Sequence, residues 1–386
     1  MVFKGGVDMP KTVEVPINPE VLKWAINSSD YEQYELFQTT KYLDKWLKGE
    51  KKPTLVQLGN FSKKIHIPFG YLLAKEPPEQ IQTYTDYRTI KNSQIKNPSR
   101  GLIETINDME FKMSWMRDYR ISIGAEKISA IGMFSKRKHG ISEMVSQIRV
   151  LLKLENDWAF HTGSFNEAYN LLKERIESLG VLVMKDALVL GNTHRRLDIN
   201  EFRAFILYDD YAPLIFLNGQ DSKAGRIFSL LHEFCHLLMS KEDDIIVDPD
   251  NTEDLCNQVA AGFLLPKELI FDLLESIDDI DSEIEILANK FKVSPLALAR
   301  RLYSLNVITL ERYEQVYENS IKNYKMSKSN KGEGGNHYAT KRSNLSTEFT
   351  KAVLISAGEG KTLYSDAYKL LNVSNSKTFE ELTKGY

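Results

Sequence analysis

Apolar residues recur at three- and four-residue intervals along most of the chain, and the period changes only in one central stretch. Between residues 17 and 73 the pattern predicts five short helices: Asn18 to Ile26, Tyr31 to Phe37, Lys41 to Lys48, Leu55 to Ile65 and Pro68 to Leu73. Pro53-Thr54 supplies an N-cap signal for the fourth. Short helices with tight turns are compatible with a helix-turn-helix domain. Residues 77 to 100 are polar and punctuated by proline, and read as a connector. Helical spacing resumes from Leu102 to about Lys153 and again from Asn166 to Leu179, where Gly180 acts as a C-cap. Three short apolar runs follow at strand length: Val181 to Met184, Phe202 to Tyr208, and Pro213 to Leu217. Asp209-Asp-Tyr-Ala212 separates the last two as a hairpin turn. A helix is then expected through Ile227 to Met239, capped by Asn218 or Asp221. Another runs through Thr252 to Pro266 with Thr252 or Asn251 at its cap. The chain is helical again from Ile270 to about Tyr317, and helices are expected around Leu354 and around Ala367 to Leu371. The fold class is therefore α+β and predominantly helical, divided as 1–76, 77–150, 151–320, a linker at 321–337, and a small helical module at 338–386.

The candidate chemistry lies in the most apolar of these helices. His232, Glu233 and His236 spell H-E-x-x-H within Ser229 to Leu238. At roughly 100° per residue the two histidines lie within about 40° of one another, so both imidazoles can converge on one ion. Glu233 sits about 80° away, too far round to be a natural ligand but long enough to reach a water at the ion. Two buried histidines need partners in any case, and two core histidines bonded to carbonyls or carboxylates would satisfy that without a metal. Glu253 follows His236 by 17 positions, in the first turn of the next expected helix. A carboxylate there completes a His₂Glu set with an open fourth position, the property that separates catalytic from structural zinc. Cys256 offers a competing third ligand. His194, Tyr208 and Tyr211 are candidates for a second oxyanion donor.

Composition narrows the setting. The net charge of −3 over 386 residues excludes a global attraction to polyanions. Charge is nevertheless uneven: residues 41–75 hold eight lysines against two acids, whereas the preceding 40 hold three lysines against six acids. Thr39, Thr40, Lys41, Lys45 and Lys48 are the residues there that could meet double-stranded DNA, although none supplies the bidentate reading of an arginine or asparagine. Two cysteines give no disulfide framework. The absence of a long apolar stretch predicts neither a signal peptide nor a membrane span, hence a cytoplasmic protein.

Two resemblances sharpen these readings. Trp46-Leu-Lys-Gly-Glu-Lys-Lys-Pro-Thr-Leu-Val-Gln-Leu58 resembles the W-x-x-G-x-x-x-P-T-x-x-Q-L signature of Xre/Cro-type repressors. Glu201-Phe-Arg-Ala-Phe205, Pro213 to Asn218, His232 to His236 and Glu253-x-x-Cys-Asn-x-x-Ala-Ala-x-Phe-Leu-x-Pro266 resemble the ImmA/IrrE metallopeptidases in order and spacing. That second resemblance implies a zincin-like domain with Zn2+ held by His232, His236 and Glu253, and Glu233 as general base. It further implies a specific protein substrate, such as a repressor or a toxin–antitoxin partner. Ile286 to Leu302 resembles another helix-turn-helix with Arg300 and Arg301 exposed, expected to pack within the peptidase lobe. The alternative from a different class is a DNA-binding regulator or antitoxin whose zinc site is structural.

Overall fold

The computed structural model describes residues 13–27, 29, 33–65, 67, 69–77, 98–134, 139–239, 249–275, 280–327, 342–373 and 375–384. They divide into two compact units, one of Met1–Asp86 with Asn97–Ile103, the other of Tyr87–Lys96 with Glu104–Tyr386.

The first unit holds α1 (Pro19–Asn27), α2 (Gln33–Thr39), α3 (Leu43–Leu47), α4 (Leu55–Ile65) and α5 (Phe69–Leu72). Their inward residues Leu22, Ile26, Leu36, Leu43, Trp46, Leu58, Phe61, Ile65 and Leu72 form one small core. Trp46 meets Phe61 edge to face at 6.0 Å. The Pro-Thr-x-x-Gln pattern has a local cause: Gln57 N–H donates to Thr54 Oγ1 at 3.2 Å while Thr54 N–H donates to Gln57 Oε1 at 2.9 Å. This is a reciprocal capping box that fixes where α4 begins. Tyr42 stands before α3 in the left-handed region at φ 69°, a conformation that a non-glycine residue holds only when its surroundings impose it.

The second unit is organised around a three-stranded sheet of β1 (Leu182–Asp186), β2 (Ala204–Leu207) and β3 (Leu214–Asn218), in the order β1-β3-β2. β3 pairs parallel to β1 and antiparallel to β2, with Met184 opposite Phe216 and Phe216 opposite Phe205. Alternation divides the strand residues between two faces. Val183, Ala204, Ile206, Ile215 and Leu217 join the large core, together with residues of α8 (Phe165–Glu177) and α9 (Lys223–Leu238). On the other face Phe205 stacks on Phe216 at 5.0 Å, and Met184 Sδ accepts the N–H of Ser346 at 3.2 Å. Ser346 caps α15 (Thr347–Gly358), so the carboxy-terminal helices reach this second face. Trp115 of α6 (Arg100–Ser122) meets Phe349 of α15 edge to face at 5.7 Å. Gly180 ends the approach to β1 at φ 97°, a conformation that favours glycine, and a Cβ there would also press on the Ile128 side chain.

Several local expectations need correction. The cap of α9 is Ser222, which accepts the Gly225 N–H at 2.9 Å. Asn218 is instead buried and donates to Phe202 O at 3.0 Å, and Asp221 binds Arg203. The helix carrying Glu253, α10 (Pro249–Leu264), begins before Thr252, so Glu253 falls in its second turn. After α11 (Lys267–Leu274) come α12 (Ile280–Phe291) and α13 (Pro295–Ser304), with Ser294 capping α13. Arg300 is exposed, but Arg301 is partly buried and donates to Leu265 O at 3.2 Å. The expected linker from residue 321 overlaps α14 (Leu310–Ser327), which continues to Ser327; residues 328–337 lie outside the described residues. Beyond α16 (Tyr364–Leu370), a further helix, α17 (Ser376–Thr383), was not apparent in the pattern.

Candidate metal centre

Helix α9 owes its position to its apolar surface. Ile227, Leu230, Leu231, Phe234, Leu237 and Leu238 are fully buried, and the two histidines lie on the strip of the helix turned toward α10. His232 Nε2 and His236 Nε2 stand 3.1 Å apart. Glu253 reaches across from α10, with Oε1 at 3.1 Å from His236 Nε2 and Oε2 at 3.2 Å from His232 Nε2. Phe228 stacks against the His232 ring at 6.1 Å and walls one side.

These separations suit an ion. Ligand atoms placed tetrahedrally at about 2.0–2.1 Å from zinc stand roughly 3.3 Å from each other. Two imidazole nitrogens facing one another at 3.1 Å repel as lone pairs unless a proton or cation lies between them, and a single shared proton would leave the carboxylate with less than its full complement. Three protein ligands leave room for a fourth. Among the described residues these three are the one set of His, Cys, Asp and Glu side chains gathered closely enough, within 4.8 Å, to hold a metal. Cys256 is buried but outside that group, so the competing ligand set is not assembled. Cys235 is enclosed on α9, where burial pushes its thiol well above the ordinary range.

The electrostatics follow from concentrating charge in a buried place. Burial opposes ionisation of Glu253, but hydrogen bonds from His232 and His236 overcome it and hold the carboxyl far below the usual range. Burial likewise opposes the His232 imidazolium, yet its bond to Glu253 and the charge of Glu233 carry its pKa above the usual value. Asn257, one turn beyond Glu253, acts in the same direction. It stands in the Glu253-x-x-Cys-Asn motif, where the sequence reading gave it no role, although its place four residues after Glu253 is a helical-face signal. Glu233 is 4 % exposed and is no part of the ligand group. Its burial raises its pKa, while His232 and His236 counteract that shift.

The remaining candidates are dispersed. Tyr208 donates its hydroxyl proton to the carbonyl of His236 at 2.9 Å. His194 is exposed in the loop after β1, and its backbone N–H binds Asn192. Tyr211 is in the β2–β3 turn, where its N–H binds Asp209 and Lys127 Nζ stands 5.9 Å from its ring centre. Neither of these two has a described contact with the ligand group. In the first unit, Thr39 ends α2 and accepts Lys64 Nζ, with Thr40 Oγ1 at 3.4 Å from the same ammonium. Lys41 and Lys45 stand 5.0 and 6.0 Å from the Tyr42 ring centre and Lys51 is closer at 3.7 Å. Lys48 caps α3 with its backbone and is exposed.

Comparison with known proteins agrees with this geometry. Residues 176–303 match the peptidase family described as an IrrE N-terminal-like domain, and residues 345–385 match a domain of unknown function, DUF8813. A curated relative, the radiation response metalloprotease IrrE of Deinococcus deserti, is 33% identical over 97 residues, which cover 22% of this chain and 34% of that protein. The chain therefore spans about a third of the length of the curated relative it matches. The first match takes in the sheet, α9, Glu253 and α13, and both findings support the ImmA/IrrE family and a metallopeptidase domain.

Proposed function

We propose that this protein is a zinc-dependent endopeptidase that cuts one specific regulatory protein, a repressor or a toxin–antitoxin partner, and that its first unit brings it to DNA or to a DNA-bound target. The observation that carries the reading is the convergence of His232, His236 and Glu253 at 3.1–3.2 Å beside a buried carboxylate that is not a ligand. A structural site would have closed its fourth position and would have no use for Glu233.

His232, His236 and Glu253 would hold the zinc, which when bound would supply a Lewis acid and lower the pKa of water there toward about 7. Glu233 takes the proton from that water and returns it to the leaving amide nitrogen, which departs as an amine. Its burial raises the carboxyl's pKa, which strengthens it as a base toward that proton. β2 lies at the sheet edge, and Tyr208 just past its end binds the metal helix. An extended substrate adding to that edge would be carried by backbone pairing, with specificity left to alternate side chains. The lysines around Tyr42 provide the charge for phosphate contacts in the first unit.

The reading is tested by zinc analysis and by incubating the protein with the products of neighbouring genes, wild type beside Glu233→Gln. About one zinc in both proteins, with cleavage by the wild type alone, supports it. Wild type that cannot be loaded with zinc overturns it. Salt-sensitive DNA binding without proteolysis of any neighbour, unchanged in Glu233→Gln, would favour a regulator with a structural ion.

A further inference from the structure

A second group of polar side chains lies at the carboxyl ends of the two parallel strands, apart from the metal ligands. Lys185 is the fourth residue of β1 and shares a face with Val183, towards α8 and α9. Its ammonium stands 4.9 Å from the ring centre of Tyr169 on α8. Arg226, in the first turn of α9, donates to Gly219 O at 3.3 Å. Gly219 closes the strand ends together: its N–H meets Asp186 O at 2.6 Å, and a Cβ there would be 2.8 Å from Ala187 N. Tyr169 of α8, Lys185 at the end of β1 and Arg226 at the start of α9 thus lie close enough for Arg226 to act electrostatically on both of the others.

Positive charge from Lys185, Arg226 and Lys173 gathers here against the carboxylates of Asp186 and Glu177, neither of which forms an ion pair with Lys185 among the described residues. Lys185 has no hydrogen bond or ion pair among the described residues, only the face of Tyr169. The carboxylates that act on the group are engaged elsewhere. Asp186 Oδ1 accepts the N–H groups of Ala187 and Leu188, and Glu177 accepts Thr347 N–H and faces Lys173 at 3.9 Å. Lys173 in turn donates to Ser343 O and Leu345 O. The hydroxyl of Tyr169 is the second, independent sign: the residue is 5 % exposed and its oxygen has no partner. A buried hydroxyl without a protein partner is costly, and a bound group able to accept from it would relieve that cost.

We propose that Lys185, Arg226 and Tyr169 form a binding site for a phosphate group, supplied as free phosphate or as a small phosphate monoester. A tetrahedral oxyanion accepts from an ammonium, a guanidinium and a hydroxyl at once, and a site outside the carboxyl ends of parallel strands beside the first turn of a helix favours negative charge. Charge and burial agree with the geometry. Burial, then repulsion from Arg226 and Lys173, pull the Lys185 ammonium down to about 8. A bound anion would reverse the repulsion.

Thermal unfolding of the full chain, titrated with inorganic phosphate and with glycerol phosphate near pH 7 against acetate and chloride at matched ionic strength, tests the site. Wild type should show a saturable rise in Tm with at least one of the two phosphates and none with the controls. Lys185→Met should lose that rise. Tyr169→Phe should melt above wild type in phosphate-free buffer, because its orphan hydroxyl is gone, and should respond to phosphate less. A rise with glycerol phosphate alone assigns the group to a monoester. No phosphate-specific rise in wild type, or a rise of equal size in both variants, as binding at the metal centre would give, overturns the proposal.

Discussion

The hydroxyl of Tyr208 donates to the main-chain carbonyl of His236 at 2.9 Å. That bond ties the residue following β2 to the last turn of α9, where the same carbonyl also accepts the Met239 N–H at 3.1 Å. Tyr208 thereby positions the second histidine. Tyr208→Phe should cost about 1 kcal/mol of stability and loosen metal retention, with proteolysis falling in proportion to lost metal. A loss of turnover at full zinc occupancy would show that the hydroxyl serves the reaction itself.

Removal of a ligand and removal of the base should separate cleanly. His232→Ala and Glu253→Ala are expected to lose zinc, as read by elemental analysis of the purified protein. Glu233→Gln is expected to keep it while proteolysis drops by about 10²–10⁴-fold, the usual contribution of a positioned acid–base group. Zinc lost in Glu233→Gln would make that residue a ligand.

Chelation should lower the melting temperature of wild type and leave that of His232→Ala unchanged. An ion bound only by the folded chain adds stability that grows with the logarithm of its concentration over Kd. The measurement is a thermal scan with and without chelator, compared between the two proteins.

The attachment of the carboxy-terminal helices rests on a buried charge pair. Lys173 and Glu177, with side chains 9% and 5% exposed, stand 3.9 Å apart on α8 and bind the backbone of residues 343–347. Lys173→Met should destabilise by about 3–5 kcal/mol, because Glu177 is left buried without its cation. Burial already raises the pKa of Glu177, so the deficit should shrink in acid as Glu177 takes up a proton. Lys173→Met with Glu177→Leu should recover much of the loss. Denaturant unfolding of the three proteins at pH 5 and 8 measures this.

Lys185 should leave a signature in the pH dependence of stability. Its folded-state pKa of about 8 lies below the ordinary lysine value, so between the two the unfolded chain holds more protons. Stability must therefore rise with pH across that window, and the penalty for burying the ammonium is fully present below it. The difference in unfolding free energy between wild type and Lys185→Met, followed from pH 7 to 10, should change in wild type's favour as pH rises. A flat difference would place Lys185 in water.

The elements were legible wherever local patterning and final environment agree. The helices of residues 17–73, the strands and the metal helix all appear near their expected ranges, because a half-buried helix and a buried strand impress different periods on the chain. Convergence of His232, His236 and Glu253 was legible for a related reason: two candidate ligands share one helical face, and the third lies one loop away. Cap choice was less visible, since Asn218, Asp221 and Ser222 are all competent, and the decision fell to Asn218's burial and Asp221's bond to Arg203. The grouping of Tyr169, Lys185 and Arg226 left no trace in the pattern, because three elements bring it together and each residue taken alone looks like an ordinary surface or core position. Of the oxyanion candidates, Tyr208 bonds the His236 carbonyl, whereas His194 and Tyr211 have no described contact with the group of His232, His236 and Glu253.

Glu253 arrives from a different helix than the histidines, and that division has a cellular consequence. An ion held by the three side chains would join α9 to α10 as a crosslink does, so a chain deprived of it would lose a tether between two segments of its core as well as its chemistry. Scarcity of zinc would then reduce how long the protein survives proteolysis, and the cell's supply of metal would set the abundance and the activity of this molecule together.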